Sequence, residues 1–95
     1  MSARHNEAQD RLYQAILKLE TIDECYDFFE DLCTIRELKD LTQRLEVAFL
    51  LDRGLSYQEV AKEANVSSAT ICRVKKCLDY GSGGYRAAID RAKED

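Results

Sequence analysis

Arg73, Lys75 and Lys76 lie in a stretch, Ala64 to Leu78, that holds no carboxylate. Cations gathered on one short segment suit the neutralisation of phosphate, and phosphate contacts are what position a protein on a duplex. The residues just before them, Ser67, Ser68, Ala69 and Thr70, are small or polar. A helix that opens on such side chains and ends on bases can enter a major groove and hold the flanking phosphates. The plainer alternative is a helical hairpin whose lysines are solvated and whose serine is only a cap. Several independent features coincide here, and they favour DNA. Other chemistries lack their parts: there is no nucleophile–base pair by spacing, no CxxC pair, and a single histidine, His5, in a polar N-terminal tail. The run Gly81-Ser82-Gly83-Gly84 lacks the preceding strand and the following Lys-Ser/Thr of a phosphate loop, so it reads as a linker. We read the chain as a non-enzyme with no cofactor and no metal.

The basic run must be presented by a defined element, and Leu55 to Leu78, LSYQEVAKEANVSSATICRVKKCL, has the layout of a helix-turn-helix. Ser56 and Glu59 have capping-box spacing, in which the hydroxyl accepts from the third helical N–H and the carboxylate accepts from the cap's own N–H. Val60, Ala61 and Ala64 form a small apolar face, and Ala61 lets a second helix cross closely. Asn65 falls where the first helix must turn, and asparagine tolerates the left-handed conformation. Val66 can anchor the turn in the core. Ser67 caps the second helix, whose inward face is Ile71, Val74 and Leu78.

The remainder reads as helices that support this pair. Residues 7–20 form an amphipathic helix with Leu12, Ile16 and Leu19 on one stripe and Tyr13 beside it. Thr21 and Glu24 are a second capping box, opening a helix with Cys25, Phe28, Phe29 and Leu32 inward. Asp23, Glu24, Asp27, Glu30 and Asp31 face outward, as a solvated face and not a metal site. Thr34 and Glu37 are a third box, starting the longest helix at about 35–53, with Leu38, Leu41, Leu45, Ala48 and Phe49 on one face. Val47, Leu50 and Leu51 widen that stripe, and Gly54 closes the helix. A last short helix follows the linker, with Tyr85, Ala88, Ile89 and Ala92 able to dock back. The organisation is then a single domain in three parts: a helical dimerisation core over 1–54, the helix-turn-helix over 55–80, and the linker and C-terminal helix over 81–95.

Composition agrees with a small all-α protein of about six helices. The 95 residues include no proline, and the net charge is −4. Residues 1–50 carry eleven acids and six bases, whereas 51–95 carry seven acids and eight bases. The acidic half would be repelled by phosphate and should face away from DNA. No apolar run approaches the length of a membrane span, and no basic-then-apolar leader is present. Cys25, Cys33, Cys72 and Cys77 are expected as free thiols in the cytoplasm, with Cys25 and Cys33 as small core residues. A long helix that is apolar on more than one side needs neighbours on more than one side. Either a single chain folds tightly around the third helix, or a second copy supplies the neighbours; the second arrangement, a homodimer, would also provide two recognition helices for a two-fold operator.

Leu32-Cys33-Thr34-x-x-Glu37, then Arg44, then Leu51-x-x-Gly54-x-Ser56-x-x-Glu59, then Ala69-Thr70-Ile71-x-Arg73 resemble the bacterial Trp repressor family, and in particular its branch of TrpR-related proteins called YerC/YecD. The resemblance covers about residues 8–93. It implies an all-α, interlaced homodimer in which the first three helices of both subunits intertwine and two reading heads stand apart. The Trp repressor is one of the standard examples of groove docking by a helix-turn-helix. Carried onto this chain, the family pattern puts Gln58 near the DNA backbone, Ser68, Ala69 and Thr70 at the groove-facing start of the reading helix, and Cys72 one turn along. It also implies an effector pocket. Thr34, Arg44 and Arg73 match the residues around the bound tryptophan, but the chain has Val74 where the tryptophan-binding member has a glycine, and Cys77 in place of a serine. A β-branched side chain would occupy the indole slot, so the resemblance implies a DNA-binding transcriptional regulator, a repressor, whose small-molecule effector is not L-tryptophan. The competing class is a protein-interaction helix-turn-helix that binds transcription or replication machinery and shows no salt-sensitive DNA binding.

Overall fold

The computed structural model describes residues 4–94. They form six α-helices: α1 (Glu7–Leu17), α2 (Ile22–Leu32), α3 (Ile35–Asp52), α4 (Tyr57–Ala64), α5 (Ser68–Tyr80) and α6 (Gly84–Ala92). The chain divides into two compact units, the first ending at Leu38 and the second beginning at Lys39.

In the first unit, side-chain caps set the helix starts. The Asn6 side chain accepts from the Gln9 N–H at 2.7 Å, and the Thr21 hydroxyl from the Glu24 N–H at 3.1 Å. The box at Thr21 is not reciprocal, because the Glu24 carboxylate accepts from the Glu20 N–H at 2.8 Å, one residue further back. That bond, and the extended backbone of Thr21, explain why α1 stops at Leu17 although the apolar pattern runs on to Leu19. The Thr34–Glu37 box is reciprocal, at 2.9 and 3.0 Å.

The expected stripes are only half covered. Leu12, Ile16, Leu19, Cys25, Phe28 and Phe29 are half-buried, and no residue of α1 or α2 is fully buried. Phe28 and Phe29 meet edge to face, with centroids 5.5 Å apart. Leu17, Ile22 and Ile35 stay 82%, 74% and 92% exposed, and Leu32 is exposed as well. The five acids on the outer face of α2 are exposed, as a solvated face requires.

The second unit holds the core. Val47, Ala48 and Leu50 from α3 meet Val60 of α4, Ile71 and Val74 of α5, and Ile89 of α6, with Leu55, Ala61, Val66, Leu78 and Tyr85 packed around them. Leu41 and Leu45 remain exposed, so only the C-terminal half of α3 is buried in this core. Gly54 ends α3 with φ +89°, a backbone that a side chain rarely tolerates, and its N–H donates to the Leu51 carbonyl at 3.0 Å. On α6, Ile89 and Tyr85 pack inward, but Ala88 and Ala92 are exposed; the short helix docks through one narrow edge.

Candidate nucleic-acid interface

The Ser56–Glu59 box starts α4 as its spacing predicts, with reciprocal bonds of 3.0 and 3.2 Å. The Ser56 backbone N–H, with a smaller contribution from its side chain, holds the Glu59 carboxyl below the usual carboxylate range. Val60 is fully buried, and Gln58 points into solvent. Asn65 terminates α4 in the left-handed conformation, φ 55° and ψ 52°, the only non-glycine residue with positive φ among the described residues. This reversal lets Val66 turn inward and delivers Ser67 as the cap of α5.

Ser67 accepts from the Thr70 N–H at 3.3 Å, and the two hydroxyl oxygens also lie 3.3 Å apart. Thr70 is therefore half-buried and tied to the cap, whereas Ser67, Ser68 and Ala69 are exposed. Further along α5, Ile71 and Val74 are 1% exposed and anchor the helix. Cys72, Arg73, Lys76 and Cys77 are exposed. Arg73 and Lys76 have no ion-pair partner among the described residues. Lys75 differs: it is half-buried, and its ammonium lies 3.3 Å from the Asp79 carboxylate one turn later. The acid-free run ends one residue too early to exclude this partner, although the i,i+4 spacing was visible in the sequence.

Of the residues matched to an effector pocket, Val74 belongs to the core, Cys77 faces solvent and Arg44 is half-buried. The Thr34 hydroxyl and backbone N–H are both engaged with Glu37. One cluster escaped the sequence reading. Asp52, at the end of α3, accepts from Arg86 at 2.6 Å on one oxygen and pairs with Lys93 at 2.7 Å on the other. Lys93, then Arg86, hold its carboxyl below the usual range, and Asp52 in turn raises Arg86. The seven-residue interval between Arg86 on α6 and Lys93, which caps it, was the available signal, since two turns bring both to one side of the helix.

No helix of the described residues is long and apolar enough to cross a membrane. Residues 7–93 match the family model for the Trp repressor protein. The chain is 52% identical over 85 residues to the uncharacterised protein YerC of Bacillus subtilis strain 168, a match spanning 90% of this chain and 82% of that protein. A solved Staphylococcus aureus structure described as a candidate Trp repressor superposes with a TM-score of 0.91 at 43% identity, over 96% of this chain and 91% of the other. A TrpR-like protein of Eubacterium eligens ATCC 27750 gives 0.90 at 45% identity, over 94% and 92%. Six helices in the same arrangement and a family match along nearly the whole length place the chain in the Trp repressor family.

Proposed function

We propose that the protein is a sequence-specific DNA-binding transcriptional regulator, a repressor, that reads double-stranded DNA with α4 and α5. The observation that carries the reading is the outer surface of α5: exposed Ser67, Ser68, Ala69 and Cys72 toward its start, and exposed Arg73 and Lys76 further along, without ion-pair partners among the described residues, on a helix fixed from behind by Ile71 and Val74. Small and polar groups near the helix start can approach base edges, while Arg73 and Lys76 neutralise phosphate on either side of the groove. Gln58, at the start of α4, lies where a first helix crosses the backbone. Thr70, held by the cap, positions the opening turn, and Lys75 contributes a charge that Asp79 already shares.

The working form is a homodimer. Leu17, Ile22 and Ile35 of the first unit are too exposed for a stable single chain, and Leu41 and Leu45 of the second are exposed as well. A second copy covers these side chains in the interlaced manner of the family, with residues 1–54 as the dimerisation core, 55–80 as the reading head and 81–95 as linker and closing helix. The regulator acts in the cytoplasm. Free L-tryptophan is not its effector, because Val74 stands where an indole would need a glycine. The family pattern leaves Arg44 and Arg73 as cations that could hold a small carboxylate or another anion through charge-assisted bonds. Genomic footprinting of the tagged protein tests the proposal: discrete sites with two-fold symmetric half-sites support it, and recovery with polymerase but no footprint overturns it.

A further inference from the structure

Asp52 is the last residue of α3. A carboxylate there meets the negative end of its own helix, a placement that is unfavourable unless cations compensate. The compensation comes from α6, 34 residues further along the chain at Arg86. Arg86 and Lys93 each take one oxygen of the carboxylate, at 2.6 and 2.7 Å, and Ile89, fully buried, lies between them on the same side of the helix. The Asp52 side chain is only 13% exposed although both cations reach toward solvent. α6 has little else to hold it. It follows a glycine linker, it has no side-chain N-cap, and its apolar contact is confined to Tyr85 and Ile89. In turn α6 packs on α5, which also packs on α4.

We propose that Asp52 is a positioning residue: it latches α6 against the end of α3, and α6 then fixes the orientation of the reading helix α5. The DNA consequence rests on the function proposed above; the latch itself does not. In this arrangement the two α6 cations are internal counter-ions and not phosphate contacts. Their removal perturbs binding through geometry. Such an indirect effect should be uniform across DNA sequences, since it misplaces the whole head and no single base contact.

Asp52→Asn is the informative change, because the amide keeps one acceptor for Arg86 but sets an N–H donor against the Lys93 ammonium. The test combines hydrogen exchange of the backbone amides of α6 with DNA titration, on the full-length chain. Asp52→Asn is expected to speed exchange across α6 about tenfold or more while α4 stays protected. It is expected to weaken binding to matched and random duplexes alike, by about fivefold to tenfold. The variant Asp52→Arg with Arg86→Glu and Lys93→Glu reverses every charge of the cluster and should recover both readouts. A merely space-filling role for Asp52 would not be rescued by the swap. Unchanged α6 exchange in a folded Asp52→Asn protein, or a folded swap variant with α6 still loose, overturns the latch. If the native chain binds no duplex, the DNA reading falls and with it the positioning claim, while exchange still decides whether Asp52 holds α6.

Discussion

Lys75 and Lys76 are neighbours in sequence, but Asp79 neutralises part of one and none of the other. On the proposed docking the two therefore contribute unequally to phosphate contact. Lys76→Gln should lower the slope of log affinity against log salt by about 0.9, the release expected for one phosphate on duplex DNA. Lys75→Gln should lower it by less, and Asp79→Asn should raise affinity by freeing Lys75; titrations from low to high salt measure all three. An equal loss from both lysines would show that the Asp79 pair opens on binding. Val74 is the other decisive residue. Its side chain is seated in the core, and stacking a flat ring there would overpack a tight site at a cost of roughly 1–3 kcal/mol, or about one to two decades in affinity. Calorimetric titration of L-tryptophan should show no saturable binding at micromolar concentration. Saturation with tighter DNA binding would show that the site reshapes around Val74.

At the scale of the elements, the caps and the turn carry the fold of the head. Asn65 occupies a left-handed conformation that costs most L-residues about 1–2 kcal/mol. Asn65→Ala should lower stability by about that amount in urea denaturation, whereas Asn65→Gly should be neutral or slightly stabilising. Ser67→Ala should cost about 1 kcal/mol through the lost cap, and it should also free the Thr70 hydroxyl that the cap now holds. These elements were legible in the sequence because they depend on bonds between residues three apart: Ser56 with Glu59, Thr34 with Glu37, Ser67 with Thr70. Bonds that depend on the path of the chain were not legible. Glu24 reached past its cap to Glu20 and cut α1 short, and Asp52 found its partners in a helix beyond two intervening elements. The buried residues of α3 to α6 fall on the apolar faces that the periodicity marks, but Leu32 of α2 and Leu41, Leu45, Ala88 and Ala92, on faces marked in the same way, are exposed. Which of them are covered depends on neighbours that a periodic pattern does not name, and this is why Leu41 and Leu45 look like core in the sequence yet lie exposed in one chain.

The exposed aliphatic residues of α1 to α3 make the proposed dimer inseparable from folding, so Leu45→Asp should abolish folded protein in circular dichroism and not yield a folded monomer in sedimentation. The acid limb of stability should bear the mark of two carboxylates. Asp52 and Glu59 both have their folded pKa depressed below the unfolded value. Their contribution is therefore complete above the ordinary carboxylate range, near pH 4, and is lost as pH falls through the folded values. Thermal melts between neutral and acid pH should be flatter below that range in Asp52→Asn than in the native chain. The proposed function turns on whether α5 meets DNA. Its most direct test is fluorescence anisotropy of the native chain and of Arg73→Ala with Lys76→Ala on genomic duplexes, across a series of salt concentrations. The native protein should bind with log affinity falling linearly in log salt, and the double variant should bind more weakly with a slope reduced by about two contacts' worth of released ions. Native binding that is absent, or that the double variant leaves unchanged in strength and slope, would contradict it.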